Sequence, residues 1–202
     1  DQNRPAGTAV EGANPGQDDA WGNTGTREKP TGLAIVNLRS REVNLVGQTP
    51  SGSGLWHVHG SYDGRFAVGD DFDRGLYLID RRTREMILLS AGHKTTARDH
   101  VHPTFSPDGK GIYYTRNITR GPIFEYAQDW NTDLFNVERY DMDSGEVTTV
   151  LSGNGGSVRP TPSPDGKYLA FVRRVRNQST LFLKDLSSGR EFAAWGQLER
   201  DL

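Results

Sequence analysis

Ser163-Pro164-Asp165-Gly166-Lys167-Tyr168-Leu169-Ala170-Phe171-Val172 is a tight turn followed at once by a strand-forming run. Ser, Pro, Asp and Gly each suit a turn for a separate backbone reason, and the aromatic and β-branched residues after them suit a pleated, half-buried surface. The frame occurs twice more. Ser106-Pro107-Asp108-Gly109 precedes Ile112-Tyr113-Tyr114-Thr115, and Ser61-Tyr62-Asp63-Gly64 precedes Arg65-Phe66-Ala67-Val68. The Asp-Gly turns are thus 45 and 57 residues apart. A second frame follows each, a strand ending near an acidic residue and then a turn. Gly75 to Glu85 resembles Thr180 to Glu191, and Asn136 to Glu146 fits the same frame. Gly32 to Glu42 is a fourth copy, truncated at its front.

Leu33–Val36, Leu76–Ile79, Met86–Leu89, Leu134–Val137 and Leu181–Leu183 also read as strands, and no segment has the length or period of a good helix. A repeat of roughly 40–50 residues built from four strands is a β-propeller blade, in which stacked sheets bury one another's faces. The fold class expected is therefore all-β, a partial β-propeller of about three to four four-stranded blades. Residues 1–30 are rich in Gly, Asn, Asp and Pro and read as a loop or disordered leader. Residues 31–202 read as blades, part of a larger propeller.

Composition narrows the function. The 202 residues carry a formal net charge of −2 and no cysteine. Bulk electrostatics favour neither nucleic acid nor an anionic membrane, and disulfides and thiolate chemistry are absent. No apolar run approaches the roughly 20 residues of a membrane span. The basic run Arg173-Arg174-Val175-Arg176 reads as a solvated strand edge, and Asp70-Asp71-Phe72-Asp73 as a polar turn without the Gly and Glu of a calcium loop.

All five histidines lie between residues 57 and 102, and four of them form His57-Val58-His59 and His100-Val101-His102. His57, His102 and Arg159 each stand six residues before the turn aspartate of their own repeat. That position belongs to the innermost strand of each blade, which lines the central channel of a propeller. Two residues apart, His100 and His102 are expected on one side of their strand. His57, His100 and His102 are the candidate metal ligands. Imidazoles suit Mn, Fe, Zn, Cu or Ni better than Ca²⁺ and leave open positions for a carboxylate or water. Arg159 is the candidate substrate-binding residue, a two-pronged clamp for a carboxylate or, more plainly, a structural contact. His59 is expected in a supporting role, and His93 in an exposed connection.

Two families share these stretches. Trp56-His57 through Asp70, Gly75 through Asp80 and Asp99-His100-Val101-His102-Pro103 through Asp108 resemble the oligogalacturonate lyases, over about residues 31–116. Members of that family are β-propellers that bind a divalent metal, typically Mn²⁺, and cleave pectin-derived uronates by β-elimination. The resemblance implies that His57, His100 and His102 are metal ligands. It also departs from the family: Ala97 stands where a glutamine ligand is expected, and Val101 where proline is. Gly121 to Tyr126, Gly155 to Arg174 and Leu198 to Asp201 resemble TolB-like propellers attached to exported amidohydrolases, over about residues 105–202.

The function expected is a metal-dependent lyase acting on oligogalacturonides, with Mn²⁺ as cofactor. The alternative is a non-catalytic TolB-like module that binds a protein or positions a fused catalytic domain. Partners implied are an oligogalacturonide and further blades or that fused domain. The location implied is cytoplasmic for a lyase and periplasmic or exported for the module.

Overall fold

The structure is a computed structural model that describes residues 32–48, 55–71, 75–89, 100–118, 134–176 and 178–195. The leader 1–30, His93, Ala97 and the stretches 121–126 and 198–201 lie outside these residues.

Three four-stranded antiparallel sheets follow one another along the chain. The first joins β3 (Trp56–Gly60), β4 (Phe66–Asp71), β5 (Gly75–Asp80) and β6 (Met86–Leu88) in sequence order. The second joins β7 (His100–Phe105), β8 (Gly111–Asn117), β9 (Phe135–Asp141) and β10 (Val147–Leu151). The third joins β11 (Val158–Pro162), β12 (Tyr168–Val175), β13 (Gln178–Asp185) and β14 (Glu191–Trp195). A two-stranded sheet, β1 (Gly32–Val36) with β2 (Val43–Gln48), precedes them and matches the outer half of a blade. This is the expected partial β-propeller. Among the described residues no helix is long and apolar enough to cross a membrane.

The turn chemistry repeats atom for atom. In each blade the serine Oγ donates to the turn aspartate Oδ1, at 2.6 Å for Ser61, 2.5 Å for Ser106 and 2.6 Å for Ser163. The same Oγ accepts the backbone N–H that opens the next strand, from Phe66, Gly111 and Tyr168. The aspartate Oδ1 also accepts the N–H two residues on. These bonds hold the Asp63, Asp108 and Asp165 carboxyls below the usual aspartate range, the serine hydroxyl being the largest cause. The sequence frame is thus a hydrogen-bonded hairpin that fixes the register of the inner pair of strands.

Register then decides which side chains meet. Residues five and seven after the turn aspartate face the following blade, and residues four and six face the preceding one. Val68 of the first blade, with Leu76 and Leu78, therefore packs on Phe105, Ile112 and Tyr114 of the second. Tyr113, Val137 and Leu151 of the second pack on Leu169 and Phe171 of the third. The inner strands adjoin: β7 touches β3, and β11 touches β7.

The basic run departs from expectation. Arg173 is not a solvated edge. Its guanidinium lies 4.9 Å from the Phe171 ring centroid and 5.4 Å from that of Phe182, and it pairs with Glu191 at 2.7 Å. It closes the core between the second and third blades, using its flat cation over aromatic faces.

Candidate functional site

Each inner strand carries the same defect. Trp56 pairs with Asp70 and His59 with Val68, so His57 and Val58 together oppose one residue of β4. His102 and Pro103 do the same against β8, and Arg159 and Pro160 against β12. These are β-bulges with two residues against one. The first residue of each has a left-handed backbone, with φ of 44° at His57, 55° at His102 and 55° at Arg159. Glycine adopts that conformation without penalty, and other residues pay about 1–2 kcal/mol. The chain places His, His and Arg there in three successive blades.

The preceding blade holds each later bulge. Asp70, seven residues after the first turn aspartate, accepts the His102 N–H at 3.2 Å. Thr115, at the equivalent position of the second blade, accepts the Arg159 N–H with its Oγ1 at 3.1 Å. Asp70 does more. The same Oδ1 contacts His57 Nδ1 at 2.8 Å, while Asp70 itself is 0% exposed. One carboxylate oxygen thus joins the imidazole of one blade to the backbone of the next.

Sequence reasoning missed Asp70 and Thr115. Asp70 was expected in a polar turn, and it is instead a fully buried residue of β4. The signal that finds both is the repeat position, polar in two blades out of three (Asp70, Thr115, Val172).

The His57 and His102 rings lie 4.1 Å apart, tilted by 48°. His57 is a third exposed, with its side chain at 36%. Arg159 is exposed, and His102 is half-buried with its Nδ1 shut from solvent and unpartnered. His102 is held down to a pKa of about 4 by burial first, then by His57 and Arg159. For Asp70, burial pushes the carboxyl up against the pull of His57 and its hydrogen bonds.

A stability prediction follows from His102. Its folded pKa lies below its unfolded value of 6.5. Between those pH values the unfolded chain binds the extra proton, so stability is full above pH 6.5 and declines as the pH falls toward 4. Below about 4 the folded ring protonates too, and this loss levels off. The expected loss is about 1–2 kcal/mol after screening at a half-buried ring. Urea denaturation of the parent and of His102→Gln at pH 7 and pH 4.5 measures it. The parent should lose more than the variant, and equal losses refute the assignment.

His100 is nearly buried, at 5% exposure, with its ring 5.4 Å from that of Tyr114. Tyr114 donates to Glu138 at 2.7 Å, and Arg116 pairs with the other oxygen of that carboxylate. The bulge at His102 interrupts the two-residue alternation that the same-side expectation relied on. Among the described residues no group of three or more His, Asp or Glu side chains is arranged to hold a metal ion. As placed, the His57 and His102 rings lie together beside Asp70, and the His100 ring lies against Tyr114. His59 Nε2 lies 3.5 Å from the Thr104 hydroxyl.

No protein-family model matches the chain, and no curated protein matches it either. Solved structures do. TolB from Acinetobacter baumannii aligns with a TM-score of 0.63 at 20% identity, over 84% of this chain and 39% of that one. An oligogalacturonate lyase in complex with manganese aligns with a TM-score of 0.62 at 16% identity, over 86% of this chain and 46% of that one. The tricorn protease aligns with a TM-score of 0.57 at 18% identity, over 80% of this chain and 16% of that one. The chain spans less than half the length of each. At these identities the likeness is one of fold, and the fold is the β-propeller of TolB and of the oligogalacturonate lyases.

Proposed function

We propose that the inner strands of these blades bind a carboxylate-bearing ligand, and that the ligand class is the oligogalacturonides. Arg159 grips a carboxylate, and the His57–Asp70–His102 group forms the polar floor beside it. One observation carries this reading: three successive bulges hold His, His and Arg in a backbone conformation that favours glycine. Strain of that kind, kept at equivalent positions, is a mark of side chains that are used. A guanidinium matches a carboxylate with two parallel N–H donors.

The stricter form of the proposal is a manganese-dependent lyase that cleaves the uronate chain by β-elimination, with His57, His100 and His102 as ligands. It rests on the resemblance and on the fold shared with the manganese-containing lyase. The binding half rests on the geometry. A second reading is a non-catalytic TolB-like module, which the likeness to TolB favours.

The test is calorimetric titration of the chain with oligogalacturonides, with and without Mn²⁺, while absorbance follows any unsaturated uronate product. Binding is expected in the parent. Arg159→Ala should weaken it about tenfold to a hundredfold, the worth of a charged hydrogen bond at roughly 1.5–3 kcal/mol. Binding with product that requires Mn²⁺ supports the lyase. Binding without product in either condition leaves a carboxylate-binding module. No binding in either condition sinks the proposal.

A further inference from the structure

The turns that join the two outer strands of each sheet are built alike. Asn37, Asp80, Asp141 and Asp185 open them, and in each the side-chain Oδ1 accepts the backbone N–H groups two and three residues on. The carbonyl of the same residue accepts the N–H four residues on, from Arg41, Arg84, Gly145 and Gly189. That fifth residue of the turn has a left-handed backbone in all four, with φ of 60° at Arg41, 65° at Arg84, 75° at Gly145 and 73° at Gly189. Glycine fits there at no steric cost, and the second and third blades use it. The β1–β2 sheet and the first blade hold arginine instead and bear the steric penalty of a side chain.

The third residue of each turn divides the same way. It is Arg39 in the β1–β2 sheet and Arg82 in the first blade, against Asp143 and Ser187 in the other two. Four arginines thus stand at two equivalent positions of two successive turns. All four are exposed, and none pairs with a carboxylate among the described residues. Glu85, next in the chain, is engaged instead by the Thr83 hydroxyl. Because β2 touches β5, the two turns belong to neighbouring sheets, and packed sheets lie about 10 Å apart. Both turns lie at the end of the strands away from the bulges. Asp80 pairs with Phe66 at that end, whereas Asp70, beside the His57 bulge, pairs with Leu76. The arginine array is therefore separate from the inner-strand site.

We propose that this array is a docking surface for a polymer of uronate residues, which carries one carboxylate on every sugar. A guanidinium meets a carboxylate with two parallel N–H donors. Arginines repeated from sheet to sheet match an anion repeated along a chain. The strain at Arg41 and Arg84 marks side chains kept for use, since glycine serves the same turn in the other two blades. The chain as a whole carries a net charge of −2 and has no general attraction for polyanions, so the attraction is local to these turns. The choice of a uronate polymer rests on the ligand class proposed above, and the array itself does not. The inner strands take a short segment, and the array keeps a long chain against the protein.

The test compares the parent with one variant carrying Arg39→Ser, Arg41→Gly, Arg82→Ser and Arg84→Gly, the residues of the third blade's own turn. Retardation in gels containing polygalacturonate measures affinity for the polymer, and calorimetry measures affinity for digalacturonate. Polymer binding should weaken about tenfold to a hundredfold, the worth of four exposed ion pairs. Digalacturonate binding should not change. The melting temperature of the variant should hold or rise, because two strained residues become glycine. A parent that binds the polymer through the array but binds no digalacturonate supports this proposal and refutes the inner-strand site alone. Polymer binding that survives the four substitutions overturns the proposal. So does a parent that binds polyglutamate or duplex DNA as tightly as polygalacturonate, which points to an acidic protein or a nucleic acid. A variant that melts below the parent also overturns it, because the arginines then serve the turn itself.

Discussion

Phe171→Ala is expected to cost about 4 kcal/mol of folding stability, the largest effect of any single change considered. A buried Phe→Ala substitution costs roughly 3–5 kcal/mol, the sum of lost transfer energy and the cavity left behind. Phe171 is fully buried and lies in the cluster with Tyr113, Val137, Leu151 and Leu169. Its ring stacks on Phe182 at 5.6 Å and carries the Arg173 guanidinium. The cavity cannot collapse easily, because β12 is held by the Ser163–Asp165 turn on one side and by β13 along its whole length on the other. Total stability of a domain is roughly 5–15 kcal/mol, so the variant should sit near the edge of folding. Phe171→Leu keeps most of the volume and should cost about 1–1.5 kcal/mol. Urea denaturation of both variants measures the difference. If Phe171→Ala costs under about 1 kcal/mol, the contact between the second and third blades is not a core.

The middle two strands of each blade were legible because they are rich in aromatic and β-branched residues packed between blades, and the innermost was placed by its position just before the turn. Leu76-Tyr77-Leu78-Ile79 and Tyr168 to Val172 stand out for that reason, and the Ser-x-Asp-Gly frame locates the hairpins. Of the outermost strands, β6 was picked out as Met86–Leu89, and β10 and β14 were not. β10 reads exposed along most of its length and β14 along nearly all of it, so neither carries a clear hydrophobic period. The alignment of His57, His102 and Arg159 came from spacing alone, and the structure adds the bulge that gives that spacing its meaning. A bulge leaves little trace in sequence when its left-handed residue is not glycine. It also explains why counting by two from His102 to His100 was an unsafe guide to side-chain direction. Asp70 was hidden for a different reason. Three carboxylates in a run of four residues look like a solvated turn, and only the repeat register marks one of them as internal.

Asp70→Ala should cost about 3 kcal/mol, whereas Asp70→Asn should cost within about 1 kcal/mol. The argument turns on what the carboxylate does. Its Oδ1 accepts the His102 N–H and engages His57 Nδ1, and both partners sit on left-handed backbone. Alanine removes the acceptor of both contacts and strands the His102 N–H, and a buried donor without a partner costs roughly 1–3 kcal/mol. The negative charge contributes less than the acceptor geometry. Burial pushes the Asp70 carboxyl up, and its Oδ2 is buried without a partner, so the ionised form bears a desolvation cost that an amide avoids. Asparagine keeps one acceptor oxygen of the same reach. Thr115→Val removes the equivalent acceptor at the next bulge, where only one N–H depends on it, and should cost about 1 kcal/mol. Denaturant midpoints of the three variants rank these costs, and the imidazole proton resonances of His57 and His102 report the site. Those resonances should move strongly in Asp70→Ala, little in Asp70→Asn and little in Thr115→Val. An Asp70→Asn variant as damaged as Asp70→Ala would mean that the charge holds the site together, and not the placement of an acceptor between two blades.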